Sequence, residues 1–217
     1  MRVAGFGSSE PARVGSSIGE GGSRRDRQGY GNAEILVECV TYGTAGMVTT
    51  REFISMACWH LLTHPELAAR YRAAEQQERL ASLAEIIRLE PVVGHLYRRM
   101  QQPVTVTDAG RRHTLSPGDL VDICVRQANT DPDTAGAQPH DLCPGRDMPG
   151  ADASGLSFGD GAHKCPGRPL ALLESDVLLT KLLGHRPRIV REPRLGWDDL
   201  VAGYTLRDFE LAFDAPA

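Results

Sequence analysis

Six residues near the end of the chain have the types and the spacing needed to present a thiolate to a metal ion. They follow the frame F-G-x-G-x-H-x-C-x-G and are Phe158, Gly159, Gly161, His163, Cys165 and Gly167. Glycine permits close approach of the backbone and positive φ angles, so a bend made of glycines can carry the Cys165 sulfur up to a metal. Iron held by such a sulfur performs haem–thiolate chemistry, in which the axial ligand favours O–O cleavage. We therefore predict that Cys165 is a metal ligand.

The elements around this loop must hold the sulfur in place. The apolar run that follows predicts a helix over about residues 166–183, whose first amides and positive dipole end would face the sulfur and favour the thiolate. Pro166 and Pro169 are compatible with this helix because the N–H groups of a first turn have no partner within the helix.

Two other interpretations of these cysteines are open to the sequence. A glycine-rich turn can simply bury an inert cysteine. Alternatively, the sequence CPGR occurs twice, at residues 143–146 and 165–168, and the flanking histidines could complete a zinc site. Its four candidate ligands are His140, Cys143, His163 and Cys165. The spacing H-x2-C followed by H-x-C matches no common zinc finger, so we do not favour zinc, and Cys143 lacks the glycine frame, so Cys165 is the better candidate ligand.

The composition predicts a globular, cytoplasmic protein. Of 217 residues, 41% are hydrophobic and 24% charged, and a net charge of -4 gives no reason to expect a nucleic-acid partner. No apolar run approaches the roughly 20 residues of a membrane span, and the first residues lack the apolar core of a signal peptide. The five cysteines form no disulfide framework, which suits a reducing cytosol.

The chain before the loop is predicted to begin with a tail and a long helix. Residues 1–32 are rich in Gly, Ser and Arg and are expected to be disordered, because they can bury little apolar surface. A long helix is expected from Ala33 to about Thr63. Its middle contains the poor helix formers Gly43, Thr44, Gly46, Thr49 and Thr50. Either the small residues pack closely against another element, or a threonine hydroxyl leaves the helix ladder to face a ligand.

Further helices and small sheets complete the expected α+β, predominantly α, fold. A helix starting at Pro65 should continue to about residue 80, and another should run from residue 81 to the stop at Pro91. Strands separated by turns are expected over residues 92–127, a Pro/Gly/Asp-rich meander over 133–155, and a terminal β-hairpin region over 185–217. Trp197, Tyr204 and Phe209 are assigned to core or pocket wall, and three cysteines are expected to be buried thiols. These are Cys39, Cys58 and Cys124.

The cysteine loop resembles that of the cytochromes P450, with all six framing residues in place. The resemblance covers residues 33–217 and corresponds to the C-terminal half of a soluble, bacterial-type P450, so we expect a truncated, partial haem-binding domain. The long helix resembles the central helix of that family, whose A-G-x-acid-T-T motif reads Ala-Gly-Met-Val-Thr-Thr at residues 45–50. The resemblance implies that Thr49 manages dioxygen as the catalytic hydroxyl. Val48 replaces the usual acid and cannot relay protons.

Other site residues are likewise implied by the resemblance. Glu85 and Arg88 match the structural E-x-x-R pair, while Asp141 stands where the family usually has the arginine that completes a triad, so either Arg146 substitutes or this lock is weaker. His163 and Arg98, with Arg99 as the alternative to Arg98, would contact the haem propionates. The loop residues Phe158, Gly159 and Gly167 would contact the haem around the iron ligand Cys165.

The implied function is haem-dependent monooxygenation of an apolar small molecule with O2. Electrons would come from NAD(P)H through a reductase with a ferredoxin or flavodoxin, and haem b would be the cofactor. Lys164 and Arg168 would belong to a basic patch for an acidic donor. The alternatives are a truncated, inactive P450 fragment and a haem–thiolate protein that uses peroxide.

Overall fold

The computed structural model describes residues 29–199 and 202–213. The predicted tail therefore lies outside the described residues, apart from residues 29–32. The helices are α1 (Asn32–Thr63), α2 (Pro65–Ala73), α3 (Gln76–Leu89), α4 (Val125–Asn129), α5 (Pro132–Ala135) and α6 (Arg168–Gly184). The strands are β1 (His95–Arg99), β2 (Val104–Asp108), β3 (Arg111–Leu115), β4 (Leu120–Cys124), β5 (Arg188–Arg191), β6 (Arg194–Asp198), β7 (Gly203–Arg207) and β8 (Glu210–Ala212). A 3₁₀ turn over Gly161–His163 precedes α6.

The described chain divides into two compact units. The first contains residues 29–45 and Arg98–Val121, and the second contains Gly46–Tyr97 together with the described residues from 122 onward. The helix α1 contributes residues to both.

The first unit contains the start of α1 and an antiparallel hairpin. The hairpin pairs β2 with β3 from Val104 opposite Leu115 to Asp108 opposite Arg111. After β3, the predicted turn forms at Gly118, whose φ of 93° requires glycine, and the Asp119 carboxylate accepts the Ser116 amide at 2.7 Å. Four large apolar side chains of this part of α1 are exposed. They are Leu36, Val37, Val40 and Tyr42.

The second unit contains the hydrophobic core. On α1, Phe53, Ala57 and Leu61 recur every four residues and so share one buried face of the helix. Apolar side chains from α3 and α6 complete the centre of this core. They are Leu83, Ile86, Leu172, Leu179 and Leu183. The cysteine loop is thus followed by a helix that is anchored in the core.

The boundary between α2 and α3 differs from the prediction. The chain breaks at residues 74–75, and the second helix begins at Gln76 rather than near residue 81. Asp176 on α6 accepts the Tyr71 hydroxyl at 2.7 Å and the Arg79 Nε at 2.7 Å. Since these residues lie on α2 and α3, a contact distant in sequence holds both helices beside α6.

The remaining strands form two-stranded sheets, as expected for an α+β fold. The pairs in the described chain are β1–β4, β2–β3, β5–β8 and β6–β7. The helix α4, immediately after β4, interrupts the region predicted as strand. The predicted terminal β-hairpin region is confirmed, with β6 antiparallel to β7 from Arg194 opposite Arg207 to Asp198 opposite Gly203.

The predicted burial of Cys39 is wrong, and for Trp197 the core alternative is wrong. Cys39 lies exposed on α1, whereas Cys58 is buried, which raises the pKa of its thiol to about 12, and Cys124 is half-buried. Trp197 is 59% exposed and therefore no core residue, while Tyr204 donates its hydroxyl to the Glu90 carbonyl. For both Cys39 and Trp197, the apolar neighbours in the sequence did not determine which face of the helix or strand is covered.

No helix in the described ranges is both long and apolar enough to cross a membrane.

Candidate functional site

The cysteine loop is a tight bend closed by backbone hydrogen bonds. The Cys165 amide donates to the Phe158 carbonyl at 2.8 Å, and the Gly159 amide donates to the Leu156 carbonyl at 2.8 Å. Gly159 and Gly161 have φ angles of 66° and 65°, which L side chains rarely adopt. The bend leaves Cys165 exposed, so its sulfur is accessible to a bound group.

The start of α6 lies against this bend. Gly167 precedes α6, and a Cβ at this position would lie 3.7 Å from the Cys165 sulfur. The absence of a side chain there leaves that side of the sulfur open. The Arg168 guanidinium stacks 5.8 Å from the centroid of the Phe158 ring, a cation–π contact that links α6 to the first residue of the frame.

Asp152 gathers the positive charges beside the cysteine. Its carboxylate accepts Lys164 Nζ at 3.1 Å and Arg168 Nη2 at 2.8 Å. It also accepts the Ser154 hydroxyl at 2.6 Å and the Ser154 amide at 3.0 Å. Burial alone would raise the pKa of Asp152, but these hydrogen bonds and charges outweigh burial and lower it. The two cations flanking the sulfur are therefore partly neutralised within the chain.

A buried charge cluster lies behind the loop. Arg88, which has no exposed surface, donates from Nε and Nη2 to the two oxygens of Glu85, both at 2.7 Å. Arg146 Nε donates to Glu85 Oε1 at 3.0 Å, and so does the Cys143 amide. Burial alone would raise the pKa of Glu85, but these donors outweigh it and lower the pKa. Arg146 thus completes the triad that the sequence left open.

The same arginines also hold the meander in place through its carbonyl groups. Arg88 donates to the carbonyls of Asn129 and Pro139 at 2.9 Å each. Arg146 donates to the Asp141 carbonyl at 2.7 Å. Asp141 therefore contributes its backbone to this lock, while its side chain position is exposed.

Asn129 connects this lock to the cysteine loop. It is 1% exposed, its Nδ2 donates to the Arg88 carbonyl and to the Ser157 hydroxyl at 2.9 Å, and its Oδ1 accepts the Leu156 amide at 2.6 Å. Ser157 in turn donates to the Ile87 carbonyl at 2.7 Å. The end of α3 is therefore joined to the residues that lead into the bend.

The predicted oxygen-handling segment lies on α1. Thr49 and Val48 are half-buried, and the helix is α-helical throughout Asn32–Thr63, without a widened turn. A Cβ on Gly43 or Gly46 would meet no atom of the described chain within 4 Å, so close packing does not account for these glycines.

Glu52, one turn beyond Val48, is fully buried and engaged. It accepts the Leu206 amide at 2.9 Å and Arg207 Nη1 at 2.7 Å from β7, and Arg51 Nη2 at 2.7 Å. Burial alone would raise the pKa of Glu52, but these donors lower it. Glu52 is therefore ionised, and its carboxylate joins α1 to the terminal hairpin.

The two predicted propionate contacts belong to different units. His163 is exposed in the 3₁₀ turn of the cysteine loop in the second unit, and Arg98 is exposed on β1 in the first. The loop brings together five predicted residues, Phe158, Gly159, His163, Cys165 and Gly167.

The residues present fit a haem–thiolate group better than zinc. The loop offers a single soft sulfur at an open position, which suits an axial ligand of haem iron. Within residues 29–199 and 202–213, no group of three or more His, Cys, Asp or Glu side chains could hold a metal ion. The alternative zinc set therefore does not form.

Three contributors to this site were missed by the sequence reasoning. They are Asn129, Asp152 and Ser157. Their roles depend on partners 12 to 70 residues away in the chain, and the only local signal is the meander rich in Asp and Gly. Polar residues in such a segment are usually solvated, so this signal could not have identified them.

Comparison with known proteins agrees with this geometry. The profile of the family "Cytochrome P450" matches residues 18–185. The steroid 21-hydroxylase of Sus scrofa is 32% identical over 189 residues, which cover 76% of this chain. The mycinamicin VIII C21 methyl hydroxylase of Micromonospora griseorubida is 31% identical over 163 residues, which cover 74% of this chain. The chain spans 37% and 39% of the length of these two curated relatives.

Solved structures extend the similarity to the fold. The crystal structure of CYP164A2 from Mycobacterium smegmatis with econazole bound matches with a TM-score of 0.70 at 26% identity. The match covers 92% of this chain and 48% of that structure. The predicted P450-like architecture is thereby confirmed for the part of the family fold that this chain spans.

Proposed function

The chain belongs to the cytochrome P450 family, and we propose that it holds haem b through the Cys165 thiolate as the oxygen-activating part of a monooxygenase. The observation that carries this proposal is the exposed Cys165 sulfur in a glycine bend closed by the hydrogen bond from its amide to the Phe158 carbonyl. When bound, a haem with a thiolate ligand supplies the activation of O2 and the insertion of one oxygen atom into an apolar small molecule.

The chain's own residues would bind and orient this group. His163 would donate to a propionate. A propionate contact by Arg98, with Arg99 as the alternative to Arg98, is implied by the family resemblance alone. Phe158, Gly159 and Gly167 would lie against it. At Gly167 a Cβ would lie 3.7 Å from the Cys165 sulfur, so glycine keeps the space beside the sulfur open. The buried Glu85–Arg88–Arg146 cluster would hold the loop at a fixed distance from α3.

Thr49 would hold the oxygen substrate by its hydroxyl and pass protons toward it. Val48 cannot do this, and the neighbouring acid Glu52 is held by Leu206 and Arg207. Proton delivery would therefore rely on Thr49 with water or a substrate hydroxyl.

The electron donor would be a ferredoxin or flavodoxin supplied by an NAD(P)H-dependent reductase. Lys164 and Arg168, which flank the sulfur, would meet the acidic surface of the donor, in competition with Asp152. The five cysteines are all free thiols, which supports a cytoplasmic location.

A carbon monoxide difference spectrum of the reduced protein, after reconstitution with haem, tests the ligand assignment. We expect a thiolate-type Soret band for the unmodified chain and for Cys143→Ser, and loss of that band for Cys165→Ser. Cys143 is the matched control because it is also exposed and begins the same CPGR sequence. Absence of retained haem, or survival of the band in Cys165→Ser, would contradict the proposal.

Val48 favours a second candidate function, a haem–thiolate protein that uses peroxide. Peroxide already carries the reduced oxygen atoms, so the missing acid on α1 would matter less to the reaction. Product formation with peroxide, but not with NADPH and a ferredoxin or flavodoxin system, would favour this candidate. The opposite pattern would favour the monooxygenase.

A further inference from the structure

The side chain of Asn129 occupies a buried position between α3 and the segment that leads into the cysteine bend. We propose that Asn129 is a positioning residue that fixes the Cys165 loop relative to the end of α3. The inference rests on the proposed role of Cys165 as the haem ligand, but part of its test does not require haem.

The contact between Asn129 and α3 is reciprocal. Arg88 Nη1 donates to the Asn129 carbonyl at 2.9 Å, and Asn129 Nδ2 donates back to the Arg88 carbonyl at 2.9 Å. Arg88 is itself held by both oxygens of Glu85. Because Arg88 and Asn129 have 0% and 1% of their surface exposed, water cannot replace these partners.

The contact between Asn129 and the loop uses the rest of its amide group. Its Oδ1 accepts the Leu156 amide at 2.6 Å, and its Nδ2 also donates to the Ser157 hydroxyl at 2.9 Å. A Cβ on Gly155, whose φ is 58°, would collide with the Asn129 amide. The loop backbone therefore approaches Asn129 closely, as only glycine allows.

The loop transmits this anchor to the cysteine over a short, hydrogen-bonded path. The Leu156 carbonyl accepts the Gly159 amide, and the Phe158 carbonyl accepts the Cys165 amide, both at 2.8 Å. Residues held by Asn129 thus lie next to those that close the bend. Loss of the anchor should loosen the sulfur without unfolding α6, which has its own contacts in the core.

Hydrogen exchange of the haem-free protein tests the anchor directly. Asn129→Ala should raise exchange of the amides of Leu156, Gly159 and Cys165 about tenfold and leave the buried part of α6 unchanged. Thr130→Val is the matched control, because Thr130 is also buried and, among the described residues, its hydroxyl bonds only to the Arg126 carbonyl. If Asn129→Ala does not fold, Ser157→Ala removes one of the contacts and should raise the same exchange about threefold.

The haem-loaded protein supplies a readout that general destabilisation would not change. At equal haem occupancy, Asn129→Ala should lower the thiolate-type share of the carbon monoxide Soret band by at least half, whereas Thr130→Val should retain it. Asn129→Asp keeps the acceptor for the Leu156 amide and should recover part of that share.

The outcomes separate this inference from the proposed function. Loop exchange in Asn129→Ala within twofold of the unmodified protein, or no greater than in Thr130→Val, would overturn the positioning role even if haem binds normally. Selective loop exchange in a chain that never binds haem would support the anchor and contradict the proposed function.

Discussion

Arg146 Nε donates to Glu85 Oε1 at 3.0 Å, across 61 residues of sequence. The position at which the family usually supplies the third member of this triad is Asp141, which faces solvent and offers only its carbonyl. The CPGR sequence at residues 143–146 thus supplies a structural arginine. Its cysteine, Cys143, lacks the glycines that precede Cys165. The arginines of the two CPGR copies therefore have different partners, Glu85 for Arg146 and Asp152 for Arg168.

Arg146→Met should destabilise the fold. The substitution removes a charged donor from the buried Glu85 carboxylate and three hydrogen bonds to meander carbonyls, of Ala135, Gln138 and Asp141. We expect the free energy of unfolding to fall by about 2–3 kcal/mol, because Arg88 still compensates Glu85. Chemical denaturation measures this loss. The control Asp141→Ala should change stability by less than about 0.5 kcal/mol. Equal losses in Arg146→Met and Asp141→Ala would refute the role of Arg146 as the third member of the triad.

Local patterns in the sequence determined the elements that position the site. The long, mostly apolar stretch before Pro65 predicted a helix from Ala33 to about Thr63, and the structure has Asn32–Thr63. The glycines predicted the cysteine bend, since their positive φ angles depend on the local chain alone. The helix after it begins at Arg168, two residues after the predicted Pro166.

Contacts between distant residues could not be predicted in the same way. The break before α3 depends on Asp176, which accepts hydrogen bonds from Tyr71 and Arg79 about a hundred residues earlier. The choice between Asp141 and Arg146 depends on how the meander folds back onto Glu85. Exposure of Cys39 and Trp197 depends on which faces are covered, and hydrophobicity of the neighbours does not specify this.

Glu52→Gln should weaken the attachment of the terminal hairpin to α1. Gln retains an acceptor for the Leu206 amide but loses the charge that pairs with Arg207 and Arg51. Since the side chains of Arg51 and Arg207 are 57% and 41% exposed, water screens both charges and we expect a loss of only about 1–2 kcal/mol at neutral pH. The depressed pKa of Glu52 means that this contribution is present above the unfolded value near 4 and is lost as pH falls below it. Denaturation at pH 7 and pH 3 measures the difference, and Glu174→Gln, on an exposed site of α6, is the control.

Stability should depend on His60 between about pH 6.5 and pH 4. Burial, aided by the charges of His64 and Arg126, lowers the pKa of His60 to about 4, and its buried Nδ1 has no hydrogen-bond partner in the described chain. Unfolding lets this ring take up a proton, so the free energy of unfolding should fall by up to about 3 kcal/mol as pH decreases across this window.

The variant His60→Phe isolates this effect. The Oε1 atom of Glu90 lies 4.0 Å from His60 Nε2. Burial raises the pKa of Glu90, although the charge of Arg126 opposes this, so Glu90 makes the free energy of unfolding rise rather than fall as pH decreases. That contribution of Glu90 is present in both proteins, so the difference between the two denaturation curves reports His60. The exposed His140→Gln serves as the control. Parallel pH profiles for His60→Phe and the unmodified chain would show that His60 does not titrate in this way.

Lys164 and Asp152 should affect electron transfer in opposite directions. Lys164→Glu reverses a charge beside the sulfur and should raise the apparent KM for an acidic donor severalfold at low salt. Asp152→Asn removes the carboxylate that holds both Lys164 and Arg168, and should lower that KM. Reduction kinetics with a ferredoxin at two ionic strengths measure both effects. Lys181→Glu, at the far end of α6, should leave KM unchanged, and equal effects at all three sites would exclude a localised docking patch.

Val48→Asp should improve the use of electrons for product formation. Val48 is half-buried one turn before Glu52, whose carboxylate is held by Leu206 and Arg207 and cannot move to deliver a proton. An aspartate at position 48 would be partly desolvated, which favours its protonated form and makes it a usable proton donor beside Thr49. We expect the amount of peroxide released per NADPH consumed to fall severalfold, with a matching rise in product. Val48→Asn has the same shape as the aspartate variant but cannot ionise, so an equal improvement in both variants would mean that polarity or hydration, rather than proton delivery, limits the reaction at this turn of α1.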